Sequence, residues 1–144
     1  MKATGIIRRI DDLGRVVIPK EIRQTMRIHE GDPLEIYTDT DGSVTFKRYV
    51  PISEKDYLKA KQFLRVIIPN NHFALYDLYG DIREATSIGQ FEGEHRIDRK
   101  CIPDGCYVIK EDYDVLGYLY IKGDIKENVR RMAVNTLTAF YKEV

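Results

Sequence analysis

The sequence predicts two small domains: a β-rich first module that shares its core with a second copy, and an α+β second module. Short apolar segments separated by turns dominate the first 50 residues, whereas longer segments with helical spacing appear after residue 53. About fifty residues of short strands make a weak core, and both cysteines lie far downstream, so no disulfide or zinc site can staple this module. A core shared between two chains is the remaining way to stabilise it.

The first module consists of predicted strands around one short helix. Four segments rich in β-branched or aromatic residues are the predicted strands: 5–10, 15–18, 34–38 and 43–49. A turn at 11–14 joins the first two strands, and Asp41-Gly42 supplies the turn chemistry of a hairpin formed by the last two. Pro19 lacks a ladder N–H and has a helix-compatible φ, so it ends a strand and starts a helix that reaches about Met26.

Positive charge is concentrated at the start of the chain. Residues 1–29 contain seven Lys or Arg against three Asp or Glu, although the whole chain has 23 of each sign. We call the junction at Pro19, between the predicted strand and the predicted helix, the hinge. Six basic residues surround it: Arg8, Arg9, Arg15, Lys20, Arg23 and Arg27. A compact basic face on a small β-rich module is typical of a nucleic-acid-binding surface. A solvated charged surface is the alternative, and the crowding around one hinge favours DNA.

Residues 11–23, DDLGRVVIPKEIR, contain GRVVIP followed by an arginine four residues after the proline. With its flanks this segment resembles the DNA-binding domain of the AbrB family, and in particular its sporulation branch, the SpoVT-like regulators. The resemblance implies a swapped-hairpin β-barrel built by two chains, with duplex DNA as the partner.

The resemblance also indicates which side chains contact DNA. The predicted DNA-binding residues are Arg8, Arg9, Arg15, Lys20, Arg23 and Gln24. Gln24 stands where relatives often carry a second arginine; it can donate hydrogen bonds, but it releases no counterion from DNA. For Asp11, Asp12 and Gly14, a structural role in the turn is favoured over DNA contact.

The second module begins after a linker at residues 49–53. Ser53 is a predicted N-cap for a helix over 54–67, and Asp124 with Glu127 resembles a capping box for a final helix that reaches about residue 142. Three predicted strands lie between the helices: the first runs into a turn within 73–80, and the others span 106–110 and 115–122. The polar segment 81–105 is left unassigned. The apolar stripe predicted for the final helix consists of Ile125, Val129, Met132, Thr136 and Phe140.

This order of elements resembles a shortened GAF domain, the sensor module of SpoVT-like proteins. The predicted domains are therefore 1–52, an AbrB-like DNA-binding domain, and 53–144, a shortened GAF-like domain. The apolar stripes of its two helices favour oligomerisation as the main role of the second domain, with a small-molecule ligand as the alternative. Tyr118 and Tyr120, at alternate strand positions, are interpreted as sheet-face or oligomer contacts rather than as a ligand platform.

Other classes of function find little support in the sequence. No apolar segment approaches the roughly 18–20 residues of a membrane span, and the N-terminus lacks a secretory signal, so we expect a cytoplasmic protein. Cys101 and Cys106 are predicted free thiols, with redox or metal roles as alternatives. No catalytic constellation, phosphate loop or metal motif is present, so we expect no enzyme activity, cofactor or metal.

Together these features predict a sequence-specific transcription regulator, implied by the resemblance to act on sporulation or transition-state genes. It would bind duplex DNA as a homodimer or homotetramer. The alternative is the antitoxin of a toxin–antitoxin pair that binds its own operator. Such proteins usually end in a disordered acidic tail, whereas residues 51–144 carry 14 basic and 15 acidic groups within well-patterned elements.

Overall fold

The computed structural model describes all 144 residues and divides them into two compact units, Met1–Arg48 and Tyr49–Val144. The domain division at 1–52 and 53–144 stays a prediction. The structure groups residues 49–52 with the second unit. None of the helices combines the length and the apolar content needed to cross a membrane.

The first unit contains one short helix and one antiparallel hairpin. Helix α1 spans Lys20–Met26, and strands β1 (Leu34–Thr38) and β2 (Val44–Arg48) pair around the predicted turn. The helix begins directly after Pro19 and ends at Arg27, which adopts the left-handed conformation with φ 54°. The predicted helix and hairpin are therefore confirmed.

The strands predicted at 5–10 and 15–18 are not formed, and this part of the prediction is wrong for the single chain. A segment becomes a strand only when another strand accepts its hydrogen bonds, and β1 and β2 pair with each other alone. Pro19 is the one buried residue of this unit, and Ile7, Ile10 and Val17 are 86%, 71% and 69% exposed. The first unit thus has no hydrophobic core within one chain.

The second unit is an antiparallel sheet with helices on one face. The bounds of its helices and strands are α2 Glu54–Ile67, β3 Phe73–Tyr76, β4 Ile82–Ala85, β5 Cys106–Glu111, β6 Asp114–Ile121 and α3 Glu127–Glu143. The strands have the order β4-β3-β6-β5 in the sheet. The prediction for α2 is confirmed, and so is the strand that runs into a turn over 73–80, since β3 ends at Tyr76 and the next residues turn back into β4. The sheet therefore has four strands, one more than the sequence predicted.

Helices α2 and α3 bury their apolar faces against one side of the sheet. Ser53 caps α2 as predicted, since its side-chain oxygen accepts a hydrogen bond of 3.1 Å from the Asp56 backbone N–H. The buried residues of the two helices are Tyr57, Ala60 and Leu64 on α2 and Ala133, Leu137 and Tyr141 on α3. They pack with strand residues such as Leu75 and Leu119 into one hydrophobic core.

Two details of the prediction for α3 are wrong. Met132, placed on the buried stripe, is 55% exposed, and the helix instead buries the neighbouring i, i+4, i+8 row that starts at Ala133. Ala133 and Leu137 are fully buried in the core that α3 shares with α2 and the sheet, so this row faces the core. The capping box is also absent, because α3 begins after Lys126 without a side-chain cap and Glu127 pairs with Arg130 instead of reaching back.

The opposite face of the sheet is covered by the segment that the sequence left unassigned. This segment contains β4 and a 3₁₀ helix over Ile88–Phe91. Phe91 and Ile97 are buried against Ala74, Tyr76 and other strand residues in a second hydrophobic cluster. Tyr118 and Tyr120 belong to this cluster, so these rings pack between the sheet and its covering segment, as the sheet-face interpretation predicted.

A buried carboxylate organises the turn between β3 and β4. Asp77 is fully buried, and its side chain accepts hydrogen bonds of 2.9 and 3.0 Å from the backbone N–H groups of Tyr79 and Asp81. Its second oxygen pairs with Arg83 at 2.6 Å. The Tyr79 hydroxyl then donates to the Tyr49 carbonyl at 2.7 Å, which attaches the start of this unit to the turn.

Leu64→Ala should lower the free energy of unfolding of the second unit by about 2–5 kcal/mol, because it leaves a cavity in a fully buried position. Leu58→Ala on the same helix is the matched control. Leu58 is 42% exposed, so its loss should cost about 0.5 kcal/mol or less. Chemical denaturation followed by circular dichroism measures both, and equal losses would contradict this description of the core.

Candidate nucleic-acid interface

The turn at residues 11–15 is held together by one side chain. Oδ1 of Asp11 accepts hydrogen bonds from the backbone N–H groups of Leu13 at 2.9 Å and Arg15 at 2.8 Å. The Asp11 backbone N–H donates to the Arg15 carbonyl at 3.0 Å, and Gly14 takes a positive φ of 77° that favours glycine. The turn role predicted for Asp11 and Gly14 is confirmed.

The same carboxylate also binds an arginine predicted to contact DNA. The second oxygen of Asp11, Oδ2, accepts a hydrogen bond from Nε of Arg15 at 2.8 Å. These hydrogen bonds lower the pKa of Asp11 below its ordinary value of 3.8, and the backbone N–H of Arg15 has the largest effect. Asp11 therefore stays ionised and bound to the guanidinium at neutral pH.

A second arginine is attached to the hinge that precedes α1. Nε of Arg23 donates to the Ile18 carbonyl at 3.0 Å, directly before Pro19. The carbonyl of Arg23 in turn accepts the Ile28 backbone N–H at 2.8 Å, which closes the C-terminal end of the helix. This hydrogen bond spans Pro19, whose φ is fixed, and so attaches the Arg23 side chain to the residue that precedes the hinge.

All six residues predicted to bind DNA are exposed to solvent. Arg15 is placed on the turn and Arg23 on the hinge, while Arg8 donates one hydrogen bond of 3.2 Å to the Ile7 carbonyl. The side chains of Arg9, Lys20 and Gln24 make no hydrogen bond or ion pair within the chain. Most of the donors of this basic set are therefore available to an anionic partner.

The sequence missed the pairing of Asp11 with Arg15. Asp11 was interpreted as a turn residue alone, and its second oxygen was given no role. The signal was present, because an aspartate four residues before an arginine across a tight turn can bond the backbone and the guanidinium together.

No cluster of three or more His, Cys, Asp or Glu side chains is arranged to hold a metal ion. Both cysteines are free thiols, Cys101 exposed and Cys106 buried, and burial raises the pKa of the Cys106 thiol to about 12. Its thiol therefore stays protonated at neutral pH and packs as an apolar group in the second cluster.

The turn, hinge and hairpin of the first unit define a domain of the MazE/AbrB type. The family described as "Antidote-toxin recognition MazE, bacterial antitoxin" matches residues 7–51. Among curated proteins, stage V sporulation protein T of Bacillus subtilis is 78% identical over 54 residues, which cover 38% of this chain and 30% of that protein. The transition state regulatory protein AbrB of the same organism is 57% identical over 51 residues, covering 35% of this chain and 52% of AbrB.

Two solved structures are similar to the same segment. The solution structure of the N-domain of the transcription factor AbrB is 55% identical, covers 34% of this chain and 92% of that domain, and gives a TM-score of 0.31. A refined solution structure of the N-terminal DNA recognition domain of Bacillus subtilis AbrB is also 55% identical, with coverage of 34% and 91% and a TM-score of 0.29. The matched segment spans about a third to a half of the curated relatives' length.

The lowered pKa of Asp11 gives a prediction about pH. A carboxyl group whose pKa falls on folding stabilises the folded turn above its ordinary value of 3.8, and this contribution disappears as the pH falls through the lowered pKa. An NMR titration of the Asp11 carboxyl carbon should therefore show a midpoint below 3.8. In Arg15→Ala the midpoint should rise, because one of the hydrogen bonds is lost; a midpoint at or above 3.8 in the parent protein would disprove the arrangement.

Proposed function

We propose that this chain is a sequence-specific transcription regulator that binds duplex DNA through the arginines of its first unit and acts in the cytoplasm on sporulation or transition-state genes. Phosphate contacts supply most of the affinity, and base contacts together with DNA shape supply the specificity. The DNA-binding residues are Arg8, Arg9, Arg15, Lys20, Arg23 and Gln24.

One observation carries this proposal: an exposed basic set lies on a domain that shares 78% and 57% identity with a sporulation protein and a transition-state regulator. The corresponding domain of AbrB is described as a DNA recognition domain. Two of the arginines here are attached to backbone features, the turn and the hinge, that hold them on the surface. Basic side chains placed in this way suit the regular spacing of phosphates along DNA.

The functional form is a dimer in which two first units share one swapped-hairpin barrel. The hairpin supports this, because Ile36 pairs with Phe46 on one of its faces and these side chains are 61% and 45% exposed. Segments 5–10 and 15–18 are rich in isoleucine and valine and belong to no strand in one chain, so they can add strands to a partner's hairpin. Dimerisation would cover both the apolar surface and the unpaired backbone groups.

The second unit serves mainly in oligomerisation, as a shortened GAF-like domain that joins dimers. Both faces of its sheet are filled by its own side chains. A cleft at the end of α2, lined by Arg65, Ile68, Asn71, His72 and neighbouring residues, has a volume of about 140 Å³. This cleft is smaller than the roughly 300–1,000 Å³ of most ligand pockets. A small-molecule sensor is the second candidate role.

An antitoxin is the other candidate function, and the description of the matching family favours it. Antitoxins bind their toxin through a C-terminal segment that folds on contact. Here residues 49–144 form a compact unit with its own core, which leaves no free segment of that kind in the described chain. A regulator with a folded second domain therefore fits the structure better.

The affinity for a labelled mixed-sequence DNA duplex should fall steeply with salt, because each neutralised phosphate contributes about −0.9 to the log–log slope. Replacing Arg8, Arg15 and Arg23 with alanine should reduce the size of that slope by up to about three such contributions and weaken binding. Fluorescence anisotropy at several salt concentrations measures both effects.

The matched control removes three exposed positive charges from the second unit: Lys55→Ala, Lys59→Ala and Lys110→Ala. This variant should bind DNA as the parent protein does. Equal affinity and slope for the arginine variant and the parent protein would refute the assigned face.

The shared core predicts that a fragment of residues 1–52 is a dimer. Its thermal midpoint should rise with protein concentration, since only the dimer has a core to lose on unfolding. Analytical ultracentrifugation and thermal scans over a range of concentrations test this. A folded monomer with a midpoint independent of concentration would exclude the shared core.

A further inference from the structure

We propose that Asp11 is a positioning residue for DNA binding: it holds the Arg15 guanidinium by Nε and leaves the terminal nitrogens of that arginine available for a DNA phosphate. This inference rests on the proposed function, because it needs the first unit to bind DNA. Electrostatic repulsion alone would predict that an acidic residue weakens DNA binding. The inference instead gives Asp11 a favourable role in it.

The geometry fixes the arginine from two sides. Oδ1 of Asp11 binds the backbone N–H of Arg15, and Oδ2 binds the Nε of the same residue, both at 2.8 Å. The main chain and the side chain of Arg15 are therefore both held by one carboxylate. The backbone N–H of Asp11 also donates a hydrogen bond to the Arg15 carbonyl, so the two ends of the turn are joined through the main chain as well.

The donors left over are the ones that suit a phosphate. A guanidinium has five N–H donors, and Asp11 uses the one on Nε, so the four on the terminal nitrogens remain. The Arg15 side chain is 69% exposed, whereas that of Asp11 is 38% exposed. The planar end of Arg15 can thus bind a phosphate in bidentate fashion while its stem stays attached to the turn.

Stability alone does not explain why an aspartate occupies this position. Surface ion pairs contribute little to folding, and asparagine forms the same type of turn through its side-chain oxygen. The distinct property of the carboxylate is its second anionic oxygen, which is the atom that holds Arg15. Restricting a flexible arginine before it meets DNA reduces the ordering cost of binding.

Two explanations of Asp11 predict opposite results. If Asp11 were only a negative charge near DNA, Asp11→Asn would remove repulsion and tighten binding. If it positions Arg15, Asp11→Asn keeps the turn, frees the arginine and should weaken binding to a labelled mixed-sequence duplex by about tenfold. The log–log salt slope should stay close to that of the parent protein, because Arg15 still neutralises its phosphate, whereas Arg15→Ala reduces the size of the slope by up to about 0.9.

Asp12→Ala is the matched control. Asp12 is adjacent to Asp11 and carries the same charge, but its side chain makes no hydrogen bond within the chain. This variant should bind as tightly as the parent protein or more tightly. In an Arg15→Ala background, Asp11→Asn should cause no further loss, because the arginine that it positions is gone. Fluorescence anisotropy on the full chain measures all of these variants, and circular dichroism checks that each is folded.

The outcomes separate this inference from the proposed function. The parent protein could bind DNA in a salt-dependent manner while Asp11→Asn binds as tightly as the parent protein or more tightly. That result would overturn the role of Asp11 and leave the proposed function intact. An equal loss from Asp11→Asn with and without Arg15 would also overturn it. Parent protein that does not bind the duplex would remove the proposed function, and this inference with it.

Discussion

Burial of apolar surface is the constraint on which the arrangement of this molecule depends, and the two units meet it in different ways. The second unit covers both faces of its sheet, with two helices on one side and the segment 81–105 on the other. The first unit buries only Pro19, although its sequence is rich in valine, isoleucine and leucine. Side chains such as Ile10, Val17 and Ile36 are 71%, 69% and 61% exposed, which is why a second copy belongs to the proposed functional form.

Local backbone chemistry, by contrast, organises the basic surface without any core. Asp11 forms its turn by accepting two backbone N–H groups, Gly14 supplies the positive φ, and Pro19 separates the extended segment from α1. These effects act over a few residues, so they operate even in a unit that lacks tertiary packing. Arg15 and Arg23 are attached to these two features and are therefore held where an anionic partner can reach them.

In the second unit the linker is connected to the rest of the fold by one apolar contact and one polar contact. Ile52 is buried in the hydrophobic core, and the Tyr79 hydroxyl binds the Tyr49 carbonyl. Tyr79 itself belongs to the turn that Asp77 and Arg83 hold together. Losing Arg83 would leave the buried Asp77 carboxylate without its counter-charge. The linker at Tyr49 therefore depends on an ion pair beside Tyr79, which lies 30 residues further along the chain.

The sequence by itself determined the elements whose signals are local. Pro19, the Asp41-Gly42 turn, the Ser53 cap and the helical spacing over 54–67 each act within a few residues, and the structure confirms α1, the hairpin and α2 at those places. The basic set at the start of the chain was also visible in the sequence, and its residues are exposed. The pairing of Asp11 with Arg15 carried a local signal too, but the turn role of Asp11 concealed it.

Only the tertiary structure decided features that depend on distant partners. The segments 5–10 and 15–18 have strand-forming residues, yet they form no strand in one chain, because pairing needs a neighbour that the sequence of that segment does not contain. On α3, the spacing predicts a buried row that contains Met132, and packing into the core buries the row that contains Ala133 instead. β4 lies in a polar segment whose pattern is weak, and its pairing with β3 made it a strand.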